Sequence, residues 1–250
     1  MCFTCYNSFR KSTVGVWPDM NHDDLTRVVV EWLSKNDNWH RAISLDIEID
    51  LGLLYGKKSF PLSVTIARRI RNEIEVSSFV LEEETLEDEV RMLGEFGLAL
   101  EEIKPLAVIG FYSGEFDLPV LSLKLREMEA KAREEGKQRP SCYWPIRELV
   151  TRAYMLDICD PVRFELARHD KAAPKFVKLE HAISHRRFQH LCFMKAKHLV
   201  SSRMNQNGGE IKSKYDVIYD LWKNDRKSFE QYAKGDVHDT LLIAEDLFLR

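Results

Sequence analysis

Alternation of apolar and polar residues predicts the first three strands of this chain. In the run Arg41–Leu51, every second residue from Ile43 to Ile49 is apolar and the residues between them are polar. A β-strand turns successive side chains to opposite faces, so this period of two indicates a strand. The β-rich runs Leu62–Ile70 and Glu73–Leu81 predict two more strands after it.

A spacing of three and four residues predicts helices. Asp24–Lys35 has this spacing, and Thr85–Lys104 predicts a second helix in which Thr85 is the cap and the first turn is acidic. The uninterrupted apolar run Leu106–Phe111 predicts a strand that is buried on both faces, which is typical of parallel pairing. Pro119–Glu135 predicts the next helix.

The second half of the chain is predicted to be mainly helical. A loop and a last strand come before the helices, at Gly136–Pro145 and Ala153–Ile158. The predicted helices are Phe176–Leu199, Tyr215–Lys223 and Ser228–Leu249. A flexible loop is predicted at Ser201–Gly209.

This order of elements predicts an α/β fold, with a mixed sheet that has helices on both faces. We assign residues 1–39 to an N-terminal extension with one helix and residues 40–250 to a single domain.

Composition narrows the class of protein. The chain is 44% hydrophobic and 31% charged, and it has no apolar run of the roughly 18–20 residues that a membrane helix needs, so we expect no membrane partner. The N-terminus lacks the basic-then-apolar order of a signal peptide, which predicts a cytoplasmic (intracellular) location. The 5 cysteines are spread in a way that predicts reduced thiols. Cys2 and Cys5 form one pair, but the sequence has no second pair at the spacing that would complete a zinc site.

Charge is distributed unevenly, although the net charge is only -3. Residues 73–102 contain eleven acidic residues and one basic residue, whereas residues 163–214 contain twelve Lys or Arg, four acids and five of the 8 histidines. A basic stretch in an acidic protein is typical of a surface that binds a polyanion, but charge runs are also common on solvated faces. Both interpretations stay open.

Five residues form a candidate acidic site. Asp46 and Glu48 are two apart on a predicted strand, so both side chains leave the same face, and Tyr232 and Asp236 are four apart on one helical face. Asp117 follows the buried strand. Each has an ordinary alternative: a polar strand face, a surface pair, or a helix cap.

The strings around these residues resemble a known set of motifs. They are SLDIEI at residues 44–49, IGFYSGEFDLPVL at 109–121 and YAKGDVHDT at 232–240. They are similar to the three exonuclease motifs of DEDD-superfamily 3′→5′ exonucleases, in the branch with a tyrosine in the last motif, as in the proofreading domains of family B DNA polymerases. The resemblance implies a ribonuclease H-like fold.

The resemblance also implies a mechanism that uses two ions of Mg²⁺ or Mn²⁺, which prefer oxygen ligands. Asp46 would bridge both ions, Glu48 and Asp236 would hold the ion that forms the nucleophile, and Asp117 would serve the other. Tyr232 would orient the attacking water. All four carboxylates are therefore expected at one site.

This sequence departs from the family pattern at two positions. Tyr112 stands where the polymerase motif has Asn, and Ile49 stands where Thr is common. Phe111, Tyr112 and Phe116 are candidates for contact with the substrate through stacking on its bases, although a core role for Phe111 is an equal alternative. Asp157, on the last strand, is either a supporting carboxylate or a plain strand-end residue.

The basic stretch contains further candidates. Arg186 and Arg187 are predicted to contact the substrate backbone from a helix that faces phosphate. His181 and His185 are one helical turn apart, a spacing that can bind a metal, but solvated histidines are the commoner explanation.

The predicted function is hydrolysis of nucleic acid from the 3′ end, with single-stranded DNA favoured over RNA and a replication or repair protein as a candidate partner. A polymerase fragment is one alternative, but the chain ends fourteen residues after Asp236, so we expect a stand-alone exonuclease. Two different classes of protein also stay open: an inactive nuclease-like module that binds nucleic acid or acts as a scaffold, and an unrelated acidic protein with a structural ion.

Overall fold

A mixed five-stranded sheet lies at the centre of the part of the chain that the computed structural model describes. The described residues are 22–35, 38–50, 60–170, 177–194, 196, 198–206 and 213–249. The strands are β1 (Ala42–Ile49), β2 (Pro61–Ile70), β3 (Glu73–Val80), β4 (Ala107–Gly110) and β5 (Tyr154–Asp157).

Helices surround this sheet and connect its strands. They are α1 (His22–Lys35), α2 (Leu86–Ile103), α3 (Asp117–Glu134), α4 (Tyr143–Arg152), α5 (Cys159–His169), α6 (Leu179–Ser184), α7 (His198–Gln206), α8 (Lys214–Asn224) and α9 (Arg226–Phe248). Short 3₁₀ turns lie at Trp39–Arg41 and Arg186–Phe188.

The strand order is β3-β2-β1-β4-β5. β1 and β2 pair antiparallel, as do β2 and β3, whereas β4 runs parallel to both β1 and β5. The carboxyl ends of β1, β4 and β5 therefore point to the same edge of the sheet, and the loops that follow them meet there.

Alternation along β1 separates the two faces of the sheet. Ile43, Leu45 and Ile47 join a first core cluster, in which α2, α3, α4 and α8 supply most of the helical side chains. Ala42 joins a second cluster with residues of α1, α5, α6 and the C-terminal half of α9. Buried apolar surface on both faces is the main source of stability in such a layered fold.

Helix α9 lies against β1, β2 and β3. Its first buried residues, Phe229 and Tyr232, belong to the first cluster, and Val237, Leu241 and Ala244 belong to the second. This long helix therefore links both cores and brings its middle section to the sheet.

The predicted α/β class with a mixed sheet is confirmed. The five strands and the helices α1, α2 and α3 agree with their predicted bounds to within a few residues, and Thr85 accepts a hydrogen bond from the N–H of Asp88 as the cap of α2. The continuous apolar run before Gly110 forms the parallel strand β4, with all four residues buried.

Three predicted segments are wrong. The predicted loop Gly136–Pro145 contains the start of α4, since Pro145 lies in the first turn, where its missing N–H costs no helical hydrogen bond. The predicted helix Phe176–Leu199 is interrupted, because the backbone of His185 is extended (ψ 139°) and its side chain caps the next turn. The predicted loop Ser201–Gly209 is helical up to residue 206.

Two further expectations concern cysteines and membranes. Cys142, Cys159 and Cys192 are free thiols, as predicted, while Cys2 and Cys5 lie outside the described residues. Within the described ranges, no helix combines the length and the hydropathy required to cross a membrane.

Candidate metal centre

Strand β1 and helix α9 bring three predicted carboxylates together. Asp46 and Glu48 leave β1 on the face away from the first core cluster, and they lie opposite Thr65 and Ser63 of β2. Asp236 reaches the same place from α9, which lies against these strands.

One carboxylate oxygen from each of Asp46, Glu48 and Asp236 lies within 4.8 Å of the other two. Glu48 is 6% exposed and Asp236 is 5% exposed, so water screens their charges poorly. Clustered like charges repel one another in a medium of low dielectric, and a divalent cation relieves that repulsion. Three carboxylates at this separation fit the donor set that Mg²⁺ and Mn²⁺ prefer.

The fourth carboxylate, Asp117, lies beside β1. The pairing of β1 with β4 ends at Ser44. Farther along β1, the N–H of Ile47 donates to Asp117 Oδ1 at 3.0 Å, and Ser113 Oγ donates to the carbonyl of Leu45 at 3.1 Å. Ser113 in the loop after β4 and Asp117 at the start of α3 therefore continue the hydrogen bonding that a longer strand would supply.

The electrostatic surroundings link Asp117 to the three clustered carboxylates, although it is not part of the 4.8 Å group. Burial raises the pKa of Asp117 well above its usual value, and the charge of Asp46 raises it further. Hydrogen bonds from Ser113 and from the N–H of Ile47 offset this only in part. A bound cation would favour the ionised form.

Gly110 is required by the same loop. A Cβ atom at this position would lie 2.1 Å from Ser113 Oγ and 2.9 Å from the Met155 side chain. Only glycine lets the loop turn close enough for Ser113 to reach β1. Gly110 of the second motif therefore supports the position of Asp117.

Tyr232 is fully buried, at 0% exposure, and precedes Asp236 by one helical turn. Burial raises the pKa of Tyr232 well above its usual value, and the charges of Asp236, Glu48 and Asp46 raise it further, in that order. The tyrosine therefore lies close to all three clustered carboxylates and stays protonated at neutral pH. A neutral phenol can donate a hydrogen bond, but it is a poor base.

Close packing fixes the segment of α9 between these two residues. A Cβ atom at Gly235 would lie 2.5 Å from the Cβ of Ala196. A larger residue would push α9 away from Ala196, which precedes α7. Glycine at position 235 therefore allows α9 to pack closely against Ala196.

The three predicted stacking residues are partly buried. Phe111 packs against the second core cluster and Phe116 against the first. The rings of Phe111 and Tyr112 meet edge to face, with centroids 5.8 Å apart. Tyr112 has a positive φ of 68°, and burial together with the adjacent thiol of Cys159 raises the pKa of its hydroxyl to about 12.

Arg186 and Arg187 have different surroundings. The Arg187 guanidinium bonds Glu165 at 2.9 Å and Asp246 at 2.6 Å, and the Asp246 side chain has 0% exposure. The Arg186 side chain is 66% exposed and bonds the carbonyl of His169. A structural role accounts for Arg187, while Arg186 remains accessible to a ligand.

The remaining candidates have partners within the fold. His185 bonds Asp170 at 3.0 Å and accepts from the N–H of Arg187, and the ring of His181 accepts from the N–H of Lys178. No metal group within the described residues includes either histidine. Asp157, at the end of β5, accepts a hydrogen bond from the N–H of Cys159, the first residue of α5, at 2.9 Å.

Three residues near the site were missed. Ser113 lies inside the second motif and could have been identified there, because serines commonly bond the backbone of tight loops. The Lys214 ammonium lies 5.8 Å from the centroid of the Tyr232 ring, and the charge of Glu180 contributes to the raised pKa of that tyrosine. Lys214 and Glu180 come from different helices, so no local pattern marks them.

No protein-family model matches this chain, and the search of curated proteins likewise gives no match.

Proposed function

We propose that this protein is a 3′→5′ exonuclease of the DEDD superfamily, in the tyrosine branch, with a ribonuclease H-like fold. Its substrate would be nucleic acid, with single-stranded DNA favoured. Its cofactors would be two Mg²⁺ or Mn²⁺ ions. The mixed sheet flanked by helices is compatible with that fold, and the similarity of the three motifs supports the assignment.

One observation carries this proposal: Asp46, Glu48 and Asp236 converge to within 4.8 Å, although the third is 188 residues from the second in the sequence (236 minus 48). Carboxylates from the first and third motifs therefore lie together. Asp117 and Tyr232 are electrostatically coupled to the same group.

Each side chain has a role that its position supports. Asp46, Glu48 and Asp236 would hold the cations, and Asp117 would complete the set beside Asp46. Two bound divalent ions supply a hydroxide nucleophile at neutral pH and stabilise charge on the leaving oxygen. Tyr232 would donate a hydrogen bond that orients the attacking water, because its phenol stays neutral.

The test is degradation of 5′-labelled single-stranded DNA, double-stranded DNA and single-stranded RNA in Mg²⁺, Mn²⁺ or EDTA. A ladder that shortens from the 3′ end only with metal is expected. Asp46→Ala should abolish it, while Glu102→Gln is the matched control, because that carboxylate is 74% exposed and lies outside the site. Calorimetric titration with Mn²⁺ gives an independent measurement of the site.

Two outcomes would replace this proposal. Binding of nucleic acid without cleavage by the metal-loaded protein would favour the scaffold alternative. Binding of Mn²⁺ without any affinity for nucleic acid would favour a structural ion.

A further inference from the structure

Helix α5 has a buried face and an exposed face with a distinct composition. The buried face carries Cys159, Val162 and Leu166. The outer face, at a spacing of three and four residues, carries Asp160, Arg163, Phe164 and Arg168.

An aromatic ring lies exposed on that outer face. Phe164 is 61% exposed, and the guanidinium of Arg163 lies 5.4 Å from the centroid of its ring. Single exposed apolar side chains are ordinary. An exposed ring beside a guanidinium is different, because rings stack on unpaired bases and arginine neutralises phosphate.

The start of α5 adjoins the edge of the sheet that contains the candidate metal centre. The N–H of Ile158 donates to the carbonyl of Gly110 at 3.0 Å, and Gly110 is the last residue of β4, directly before the loop that leads to Asp117. Phe164 lies about 7.5 Å along the helix from its first residue. The ring therefore lies on a helix that begins at this edge of the sheet.

The surroundings of a second exposed aromatic residue, Trp144 on α4, are different. Trp144 is 55% exposed, with Arg139 and Arg147 at 5.6 and 5.3 Å from its centroid. However, α4 packs against α2, where a Cβ atom at Gly97 would lie 2.9 Å from Cys142. α2 belongs to the acidic run, which repels a polyanion. The residues of α5 include two acids and two arginines, and the excess of Lys and Arg in residues 163–214 lies after this helix.

The ion pairs on α5 are easily exchanged for phosphate. Arg163 bonds Asp160 at 2.9 Å and Arg168 bonds Glu165 at 3.0 Å, but the arginine side chains are 40% and 76% exposed. Exposed pairs of this kind contribute little to stability. Both guanidinium groups can therefore turn towards a phosphate without a substantial loss.

We propose that the outer face of α5 binds the single-stranded nucleic acid upstream of the 3′ end, with a base stacked on Phe164 and phosphates on Arg163 and Arg168. This inference rests on the proposed function, since it extends the path of that substrate. It identifies a residue outside the three motifs that selects for an unpaired strand, because bases in a duplex do not offer a free face.

The first experiment measures binding of a fluorescein-labelled 20-nucleotide oligodeoxythymidine by anisotropy in EDTA, where no hydrolysis consumes the probe. Phe164→Ala should weaken binding about 5- to 150-fold, which is the range for loss of one stacked base. Phe164→Trp, which keeps an aromatic ring at this position, should restore the affinity for the oligonucleotide. Trp144→Ala, a matched exposed aromatic on the acidic side, should leave the affinity unchanged.

The second experiment compares kcat/KM in Mn²⁺ for the same 20-mer and for a dinucleotide, which is too short to reach α5. The ratio of the two values should fall in Phe164→Ala by the factor seen in binding. An unchanged affinity and ratio in Phe164→Ala, or an equal effect of Trp144→Ala, would overturn the inference, as would a wild-type protein that does not bind the 20-mer.

Failure of the proposed function gives a different result. A wild-type protein that binds the 20-mer but hydrolyses neither substrate would reject the exonuclease. The role of Phe164 would still be decided by the binding experiment.

Discussion

Substitution of Asp117 by Asn should stabilise the metal-free protein and weaken its response to metal. The asparagine keeps the shape of the side chain and an oxygen that accepts from the N–H of Ile47, which is 3.0 Å away in the native protein. It removes only the charge. That charge is buried beside Asp46. Burial raises the pKa of Asp117, and the charge of Asp46 raises it further.

The sign of the pH dependence follows from this shift. The folded-state pKa of Asp117 is raised above its unfolded value of about 3.9, so the folded protein binds the proton more tightly. Its contribution to stability is fully present below the unfolded pKa and is lost as the pH rises through the folded pKa. In Asp117→Asn this loss does not occur.

The magnitude follows from removal of one buried like charge at a functional site. Stabilising substitutions of this kind contribute about 0.5–2 kcal/mol. For a chain of this length, each kcal/mol raises the melting temperature by about 2–4 °C, so the variant should melt about 1–8 °C higher in EDTA at pH 8. With Mn²⁺ the native protein should melt above the variant. A free metal concentration of 100 times Kd stabilises the native protein by about 2.7 kcal/mol.

The assay is thermal unfolding of both proteins between pH 4 and pH 9, with EDTA or with Mn²⁺. Asp88→Asn is a control of opposite sign. Burial of that carboxyl raises its pKa, but hydrogen bonds from the Arg91 guanidinium and from the backbone N–H groups of Glu83 and Glu82 lower it by more, so its pKa is below the usual value. Its stabilising contribution is present above the unfolded pKa and is lost as the pH falls. If Asp117→Asn melts below the native protein in EDTA at pH 8, the electrostatic reasoning is wrong.

Three further results are expected. Tyr232→Phe should reduce single-turnover cleavage about 10–100-fold and leave Mn²⁺ affinity nearly unchanged, because it loses a positioning contact; activity equal to the native protein, or none at all, would contradict that role. Arg187→Gln should destabilise the fold by about 1–3 kcal/mol by depriving buried Asp246 of a partner, whereas Arg186→Gln should leave the melting temperature unchanged; equal melting curves would reject the distinction. Gly110→Ala should reduce both stability and metal affinity, as measured by unfolding and titration, since its Cβ would collide with the loop; native values for both would show that the loop can shift.

The strands and the longest helices could be predicted from the sequence because local forces decide them. Alternation from Ile43 to Ile49 gives β1 its apolar face, and the apolar run before Gly110 gives a strand with all residues buried. Thr85 caps α2 through a bond to a backbone N–H three residues away. These signals lie within a few residues, so no tertiary information is needed.

The segment between α5 and α7 could not be predicted in the same way. Its residues have helical spacing, but His185 is extended and bonds Asp170, while the buried Asp246 of α9 attracts Arg187 and His190. These partners are distant in the chain, and their ion pairs and burial override local helix propensity.

The sequence alone determined which carboxylates to consider, because Asp46 and Glu48 share a strand face and Tyr232 and Asp236 share a helix face whatever the fold around them. Only the tertiary structure decided that α9 lies over β1, which brings three of these carboxylates to within 4.8 Å. It also decided that Asp117 bonds β1 where the pairing with β4 ends. Convergence of this kind depends on packing between elements far apart in the chain, and the local spacing of residues contains no information about it.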